Sequence, residues 1–374
     1  MISIKKFIKE LKKNNLDFVT GVPDSLLKDL CFDFEKYYKS NHITSANEGA
    51  AVATAIGYYL KNKKVPIVYM QNSGLGNAIN PLVSLADKNV YSIPIFLIIG
   101  WRGEIGLKIR DEPQHISQGK ITTSFLKNLD IKYKILSHKS DFTKNIKDLH
   151  KYSLKKKKPV CLLVRKNSFE PNKKIKNESN NLILREKYLE NIIKKLSSGS
   201  NVITTTGILS REVYDILKKN KKKINHFMCV GGMGHAISVA VGVAHNSKKK
   251  VYCFDGDGSV AMHMGALSIS SKQKNIVHIL FNNFSHESVG GHDTSTKHVN
   301  FSKLAKNLGY KYSKRISIFQ DLTKTIRLLA KKKNASFLEI ICGKGHRSDV
   351  SRPKEKLLFL KKKISKKFIN QLNG

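Results

Sequence analysis

The stretch KVYCFDGDGSVAMHMGALSISSKQKNIVHILFNN, residues 250–283, decides how the rest of the chain is read. Residues 251–254 form an apolar run that stops at Gly256-Asp257-Gly258-Ser259. Helix-forming residues then continue to about Lys272, and a second apolar run, 276–281, ends at Asn282-Asn283. Strand, helix and strand in that order make a parallel β-α-β unit. Its strand tips lie side by side, so Asp257 and Asn283 come out together at the carboxyl edge of a sheet, where open α/β sheets bind ligands. A carboxylate and an amide oxygen are hard donors suited to Mg2+, which commonly completes its oxygen shell with phosphate oxygens. Gly256 and Gly258 let the main chain approach such a phosphate, and Ser259 opens a helix whose N-terminus favours an anion. Either dipeptide alone reads as a strand-end turn. Their spacing points instead to a diphosphate held through a divalent cation.

The same alternation runs through both halves. Segments 67–70, 93–99 and 160–164 read as buried parallel strands in the first half, and 202–205, 251–254, 276–281 and 337–341 in the second. We therefore expect an α/β protein built from two doubly wound parallel-sheet domains. They span residues 1–165 and 187–353, joined by a polar Lys/Asn-rich linker at 166–186 and followed by a lysine-rich amphipathic surface helix at 354–374. A length of 374 residues suits two domains, each with its own core.

The net charge of +40 would ordinarily point to nucleic acid. Of the 68 basic residues, however, 59 are Lys and only 9 Arg, and the Lys fall in short runs such as 155–158, 221–223 and 361–363. Specific readers of phosphate and base edges favour Arg forks. We expect the excess to be solvated surface, and set aside a lysine-driven nucleic-acid-binding protein, which would show steeply salt-dependent affinity and no reaction. Five widely spaced Cys without a C-x-x-C pair indicate neither a disulfide framework nor a thiolate zinc site, so a reducing cytoplasm is expected. Residues 1–15 lack the apolar stretch of a signal peptide, and the longest apolar run, 93–99, is too short for a bilayer; no membrane association is expected. A dinucleotide site at Gly74-Leu75-Gly76 is rejected, because Ile79 stands at the third glycine position and Asp87 follows after only 11 residues.

Two further motifs change the weight of the first. Asn47-Glu48-Gly49-Ala50-Ala51 opens a small-residue helix, and Val230-Gly231-Gly232-Met233-Gly234-His235 precedes an Ala/Val/Gly helix. Alone, they read as an acid favoured by a helix dipole and as a helix-entry turn with a core methionine. Together with Gly-Asp-Gly and Asn-Asn they resemble the signature of thiamine diphosphate enzymes. GVPDSLLK (21–28), ANEGAAVA (46–53), VYMQNSGLGNAINPLVSLAD (68–87), IGWRGE (99–104), DEPQH (111–115) and NN-x-x-H-E-S-V-G-G (282–291) narrow the resemblance to the phosphonopyruvate decarboxylase family of 2-keto acid decarboxylases. The sulfopyruvate decarboxylases are the nearest competitors.

The resemblance implies a pyrimidine-binding domain followed by a diphosphate-binding domain, and at least a homodimer with active sites between subunits. It implies thiamine diphosphate- and Mg2+-dependent conversion of 3-phosphonopyruvate to phosphonoacetaldehyde and CO2 in phosphonate biosynthesis. By the same resemblance, Glu48 hydrogen-bonds N1′ of the aminopyrimidine, Met233 props the bent coenzyme, and the Gly231 carbonyl receives its 4′-amino group. Asp257, Asn283 and the main-chain oxygen of Ser285 would hold Mg2+, with Gly256, Gly258 and Ser259 around the diphosphate. Asp24 and His115 are candidates for moving protons on the substrate. An acidic substrate needs cationic partners, and Arg102 is the best candidate because its fork matches phosphonate oxygens. Lys108, Arg110 and His286 are weaker ones, and Gln71, Asn72, Ser73 and Gly74 are candidate donors at a neighbouring strand end. The sequence departs from the pattern at Phe284-Ser285, where small residues are expected, and at His292-Asp293 in place of Gln-Pro.

Overall fold

The computed structural model describes residues 1–106, 111–171, 182–220, 222–245, 247–350, 366–370 and 372. Lys108 and Arg110, the middle of the 166–186 segment and most of 354–374 lie outside the described residues. The chain divides into two compact units, Met1–Ile175 and Lys176–Gly374.

In the first unit six parallel strands, β1 (Val19–Gly21), β2 (His42–Thr44), β3 (Ile67–Gln71), β4 (Phe96–Gly100), β5 (Lys132–Leu136) and β6 (Val160–Val164), stand in the order β2-β1-β3-β4-β6-β5. The central strands β4 (FLIIG) and β6 (VCLLV) are buried along their whole length, because helices cover both faces of the sheet. Phe7, Phe34, Tyr69 and Leu162 belong to the core on one face, and Ala51, Met70, Leu97 and Leu163 to that on the other. Each fully buried Leu, Met or Phe among them contributes about 1.5–3 kcal/mol of transfer free energy. The chain moves outward one way from β1 to β2 and the other way from β1 to β3. That reversal opens a crevice at the carboxyl ends of these strands.

The second unit repeats the plan. Strands β7 (Asn201–Thr204), β8 (Asn225–Met228), β9 (Val251–Gly256) and β10 (Ile276–Asn282) come first. A small antiparallel pair follows, β11 (Ser285–His286) and β12 (His292–Asp293), and then β13 (Tyr312–Ile316) and β14 (Ser336–Ile341). The six-stranded sheet has the order β13-β14-β10-β9-β7-β8, again parallel, and its reversal falls between β7 and β9. In the β9–β10 register Phe281 lies opposite Gly256, so the two strand tips end level.

The α/β expectation of two doubly wound parallel sheets is met. Strands β1, β2, β5, β8 and β13 escaped the sequence reading because they are short or, like KYKIL and YSKRI, alternate polar with apolar residues at a sheet edge. The helix expected to open at Ser259 and run to about Lys272 is in fact two pieces, Asp257–Met262 and Ala266–Ser270. The break comes at His263, whose backbone leaves helical geometry (φ −141°, ψ 55°) and whose ring stacks on His235 at 4.4 Å. Near the C-terminus Phe368 is buried, its ring 5.5 Å from that of Phe227. No described helix is long and apolar enough to cross a membrane.

One half-buried imidazole sets an acid limit on the second unit. His226, on β8, shares a hydrogen bond with Thr204 Oγ1 (2.9 Å), and burial pushes its pKa down to about 3. The folded state therefore favours neutral His226, while the unfolded chain takes up a proton below about 6.5. Its contribution is fully present above pH 6.5 and is lost as pH falls toward 3. We expect about 1–2 kcal/mol of lost stability by pH 5, the lower figure allowing for partial exposure. Calorimetric melting from pH 7 to 5 checks this: His226→Gln should flatten the dependence, and an unchanged slope refutes it.

Candidate functional site

Each unit gathers its chemistry at the carboxyl edge of its own sheet. In the first unit Glu48 opens the helix Glu48–Asn62 just after β2, with Asn47 capping that helix through Ala50 N at 2.8 Å. Glu48 is buried, and burial raises the pKa of its carboxyl. Asn77 donates to Oε2 at 2.8 Å. A Cβ on Gly74 would sit 2.5 Å from Oε1, and one on Gly49 would sit 2.8 Å from the Asn77 carbonyl, so both glycines make room for this acid. The result is a desolvated carboxyl that favours its protonated form more than one in water.

Beyond β1, Asp24 is buried with Oδ1 unpartnered among the described residues, while Oδ2 accepts from Leu27 N at 3.2 Å. Burial raises its pKa, partly offset by Arg102 and His115. A side chain at Gly100, the last residue of β4, would collide with this carboxyl. Beyond β4, Arg102 donates from Nε and Nη2 to the two oxygens of Asp111 (3.0 and 2.5 Å) and from Nη1 to Ser25 Oγ (2.6 Å). His115 Nδ1 lies 2.8 Å from Asp111 Oδ1, and the N–H groups of Gly103 and Glu112 also donate to Asp111. Burial works against the charge of Asp111. The hydrogen bonds from His115 and Arg102 nevertheless hold its pKa far below the usual carboxylate range. The loop and helix that carry these groups interlock through glycines: Gly103 (φ +67°) and Gly119 each touch the other segment's main chain so closely that no Cβ fits. Trp101 Nε1 adds a bond to the Gly119 carbonyl at 3.1 Å.

The structure thus brings Arg102 and His115 into one network around an acid that sequence reading did not single out, with Asp24 within electrostatic range of both. Asn72 is spent on the scaffold: its Nδ2 donates to the Arg102 carbonyl and to Thr122 Oγ1, both at 2.9 Å, and its Oδ1 accepts from Arg102 N at 3.2 Å. Both amide hydrogens are taken, and Asn72 holds the main chain of Arg102. Ser73 Oγ accepts from Gln71 Nε2 at 2.6 Å.

In the second unit Asp257 is buried at the tip of β9 and accepts from Thr294 Oγ1 at 2.8 Å. Burial pushes its pKa up to about 7, as fits a carboxylate in want of a cation. Asn283, at the tip of β10, is also buried; its Oδ1 accepts from Ser285 N at 3.2 Å, and among the described residues its Nδ2 has no partner. A buried orphan amide beside a carboxylate fits a site that receives a cation on one side and phosphate oxygens on the other. Ser259 Oγ bonds Thr205 Oγ1 at 2.8 Å and accepts from Gly234 N at 3.1 Å, tying the loop after β8 to the entry of the helix Asp257–Met262. Gly258 faces the His286 ring, which a Cβ would meet at 2.6 Å, and the Met233 methyl lies 3.4 Å from the same point. Gly256 has open space where a Cβ would stand, and Gly231 is half-buried. Gly258, Met233 and His286 therefore share one corner. Burial, aided by His292, pushes His286 down to about 4, so near neutral pH it offers a hydrogen bond and no positive charge. Phe284 adopts left-handed geometry (φ +57°). Such a turn suits small residues, which explains why one is expected there.

Cys253, Asp255 and His278 also place ligand atoms within 4.8 Å of one another on β9 and β10. All three are fully buried within β9 and β10, with His278 Nε2 3.5 Å from Asp255 Oδ2, and burial raises the Cys253 thiol well above its ordinary pKa.

Residues 4–124 match the family model described as the thiamine pyrophosphate enzyme N-terminal TPP binding domain, and residues 205–340 match the C-terminal TPP binding domain. A phosphonopyruvate decarboxylase of Streptomyces hygroscopicus is 29% identical over 373 residues, covering 95% of this chain and 91% of that protein. A sulfopyruvate decarboxylase of Methanosarcina acetivorans is 23% identical, covering 91% and 92%. The alpha subunit of a sulfopyruvate decarboxylase of Methanococcus maripaludis is 34% identical over 156 residues, covering 42% of this chain and 90% of that subunit.

Proposed function

Because the chain belongs to the thiamine pyrophosphate enzyme family, we propose that it is a carboxy-lyase that decarboxylates 3-phosphonopyruvate to phosphonoacetaldehyde, with thiamine diphosphate and Mg2+. The observation that carries this reading is a buried carboxyl in each unit at the carboxyl edge of a parallel sheet: Glu48 after β2 and Asp257 after β9. The family's arrangement, in which the two halves of an active site come from different protomers, makes at least a homodimer part of the proposal. Supply of phosphonate biosynthesis in the cytoplasm is the setting that fits this substrate.

Bound thiamine diphosphate supplies an electron sink for the pair released when CO2 leaves. Asp257, Asn283 Oδ1 and the main-chain oxygen of Ser285 would hold Mg2+, and Gly256, Gly258, Ser259 and the orphan Asn283 Nδ2 would face the diphosphate. Met233 would prop the coenzyme, with the Gly231 carbonyl toward its amino group. Glu48 would hold and pass a proton at N1′ of the aminopyrimidine. Its desolvated carboxyl suits that task, because general acid–base groups work best with a pKa raised toward the working pH. Asp24, protonated more readily than in water, and His115 would move protons at the substrate. Arg102 and Ser25 would meet its acidic end, since one hydrogen on each terminal nitrogen of Arg102 is not claimed by Asp111 or Ser25.

Sulfopyruvate is the second substrate to weigh, because relatives of both kinds match along the chain. We expect kcat/KM for phosphonopyruvate to exceed that for sulfopyruvate and for pyruvate by at least about tenfold, or 1.4 kcal/mol, in one preparation. A preference for sulfopyruvate would move the assignment to the second substrate. Failure to release CO2 from any of the three would overturn it.

A further inference from the structure

Resting on that reading of the first unit, we propose that Asp111 is a positioning residue. It fixes the tautomer of His115 and the orientation of Arg102 at once. Its two oxygens take all the contacts described above: Arg102 Nε and the Gly103 N–H on Oδ2, and Arg102 Nη2, His115 Nδ1 and the Glu112 N–H on Oδ1. An ionised carboxylate can only accept, so the proton between Asp111 and His115 belongs to Nδ1. Nε2 is then the ring nitrogen that exchanges protons outside the pair. His115 is buried, and the helix Pro113–Asn128 that carries it is locked by the Gly103–Gly119 contact, so the ring cannot turn to offer the other nitrogen without breaking the bond to Asp111.

The same carboxylate aims the guanidinium. Two of the five N–H groups of Arg102 go to Asp111 in a fork, which leaves the Nη edge, with Ser25 on it, as the part able to meet an anion. Asn72 completes the clamp by holding both main-chain polar groups of Arg102. An arginine held only by solvent would sample many rotamers. This one presents a single edge, next to Ser25 and within electrostatic range of the carboxyl of Asp24. Asp111 thus couples the proton-moving and anion-binding groups without touching the substrate itself.

The test reads the tautomer directly. In the full-length protein labelled with ¹⁵N-histidine, long-range ¹H–¹⁵N spectra should show His115 with its proton on Nδ1, the signals being assigned by their loss in His115→Gln. Asp111→Asn should shift that population toward the Nε2–H form and lower kcat/KM on the best 2-keto acid by about 10- to 100-fold. In a His115→Gln background the added loss in kcat from Asp111→Asn should shrink to under threefold, while KM still rises through Arg102. Wild-type His115 protonated on Nε2 alone, a spectrum untouched by Asp111→Asn, or fully additive kinetic losses would each overturn the proposal. If Asp111→Asn does not fold, the wild-type spectrum decides. A wild type inert toward every 2-keto acid would sink the decarboxylase assignment instead, while the spectrum still decides for or against the role of Asp111.

Discussion

Glu48→Gln is expected to lower kcat by about 10²- to 10⁴-fold while thiamine diphosphate and Mg2+ still bind, a loss of about 3–5.5 kcal/mol in transition-state stabilisation. The substitution is conservative toward the fold. Glutamine has nearly the same shape, its carbonyl can accept the bond that Asn77 now donates to Oε2 at 2.8 Å, and the space left by Gly74 and Gly49 still admits it. It also removes a group whose charge burial disfavours, so thermal stability should hold or rise slightly. What it removes is the proton. Glutamine can neither protonate nor deprotonate a ring nitrogen at neutral pH, so a role for Glu48 in proton transfer and one in packing part company at this variant. Release of CO2 from phosphonopyruvate, measured beside the shift in melting temperature on adding coenzyme and metal, separates the two. Near-full activity would remove Glu48 from the chemistry. Lost coenzyme binding with matching lost activity would make it a binding residue.

What could be read from the chain follows from how local each feature is. The parallel strands at the centre of each sheet announce themselves because burial on both faces forces an unbroken apolar run, as in residues 160–164, all five fully buried. Gly-Asp-Gly and Asn-Asn are legible because a β-α-β connection converts a spacing of about two dozen residues into adjacency. The network in the first unit is not of that kind. Arg102, Asp111 and His115 sit in consecutive quoted motifs, yet the bond from Arg102 to Ser25 spans 77 residues, and only the β2-β1-β3-β4 strand order brings their loops to one edge. Asp111 carried a signal in its i,i+4 spacing from His115, which puts a carboxylate within reach of an imidazole, but that pairing is common on surfaces. Asn77 lay inside a quoted block without a role, and its link to Glu48 crosses 29 residues. Thr294, which bonds Asp257, offered no local signal at all, because it comes from just after the strand pair beyond Asn283.

For the second unit, Asp257→Ala is expected to leave the free protein folded and to abolish its stabilisation by thiamine diphosphate plus Mg2+. The first half follows from electrostatics. Burial pushes the Asp257 pKa up to about 7, so the isolated carboxylate costs free energy when ionised, and the partners it leaves behind include Thr294 Oγ1 and the main-chain N–H groups of Asp257 and Gly258. Removing a buried acid that accepts these hydrogen bonds trades the relief of its desolvation against lost bonds of about 1 kcal/mol each. The second half follows from coordination. Asn283 and a main-chain carbonyl are neutral donors, and a divalent ion held by them alone loses its charged protein ligand. At ligand concentrations 100 times the dissociation constant, wild type should gain about 2.7 kcal/mol, seen as a rise of a few degrees in melting temperature that depends on coenzyme and metal together. The variant should show none of it, while Asp257→Glu should recover part, since it keeps a charged oxygen ligand at that position. An undiminished shift in Asp257→Ala would place the cation elsewhere, and with it the diphosphate. Metal titration without coenzyme distinguishes the remaining possibilities: if the variant still binds Mn2+ as tightly as wild type, the buried pair at the tips of β9 and β10 is a turn and not a metal grip.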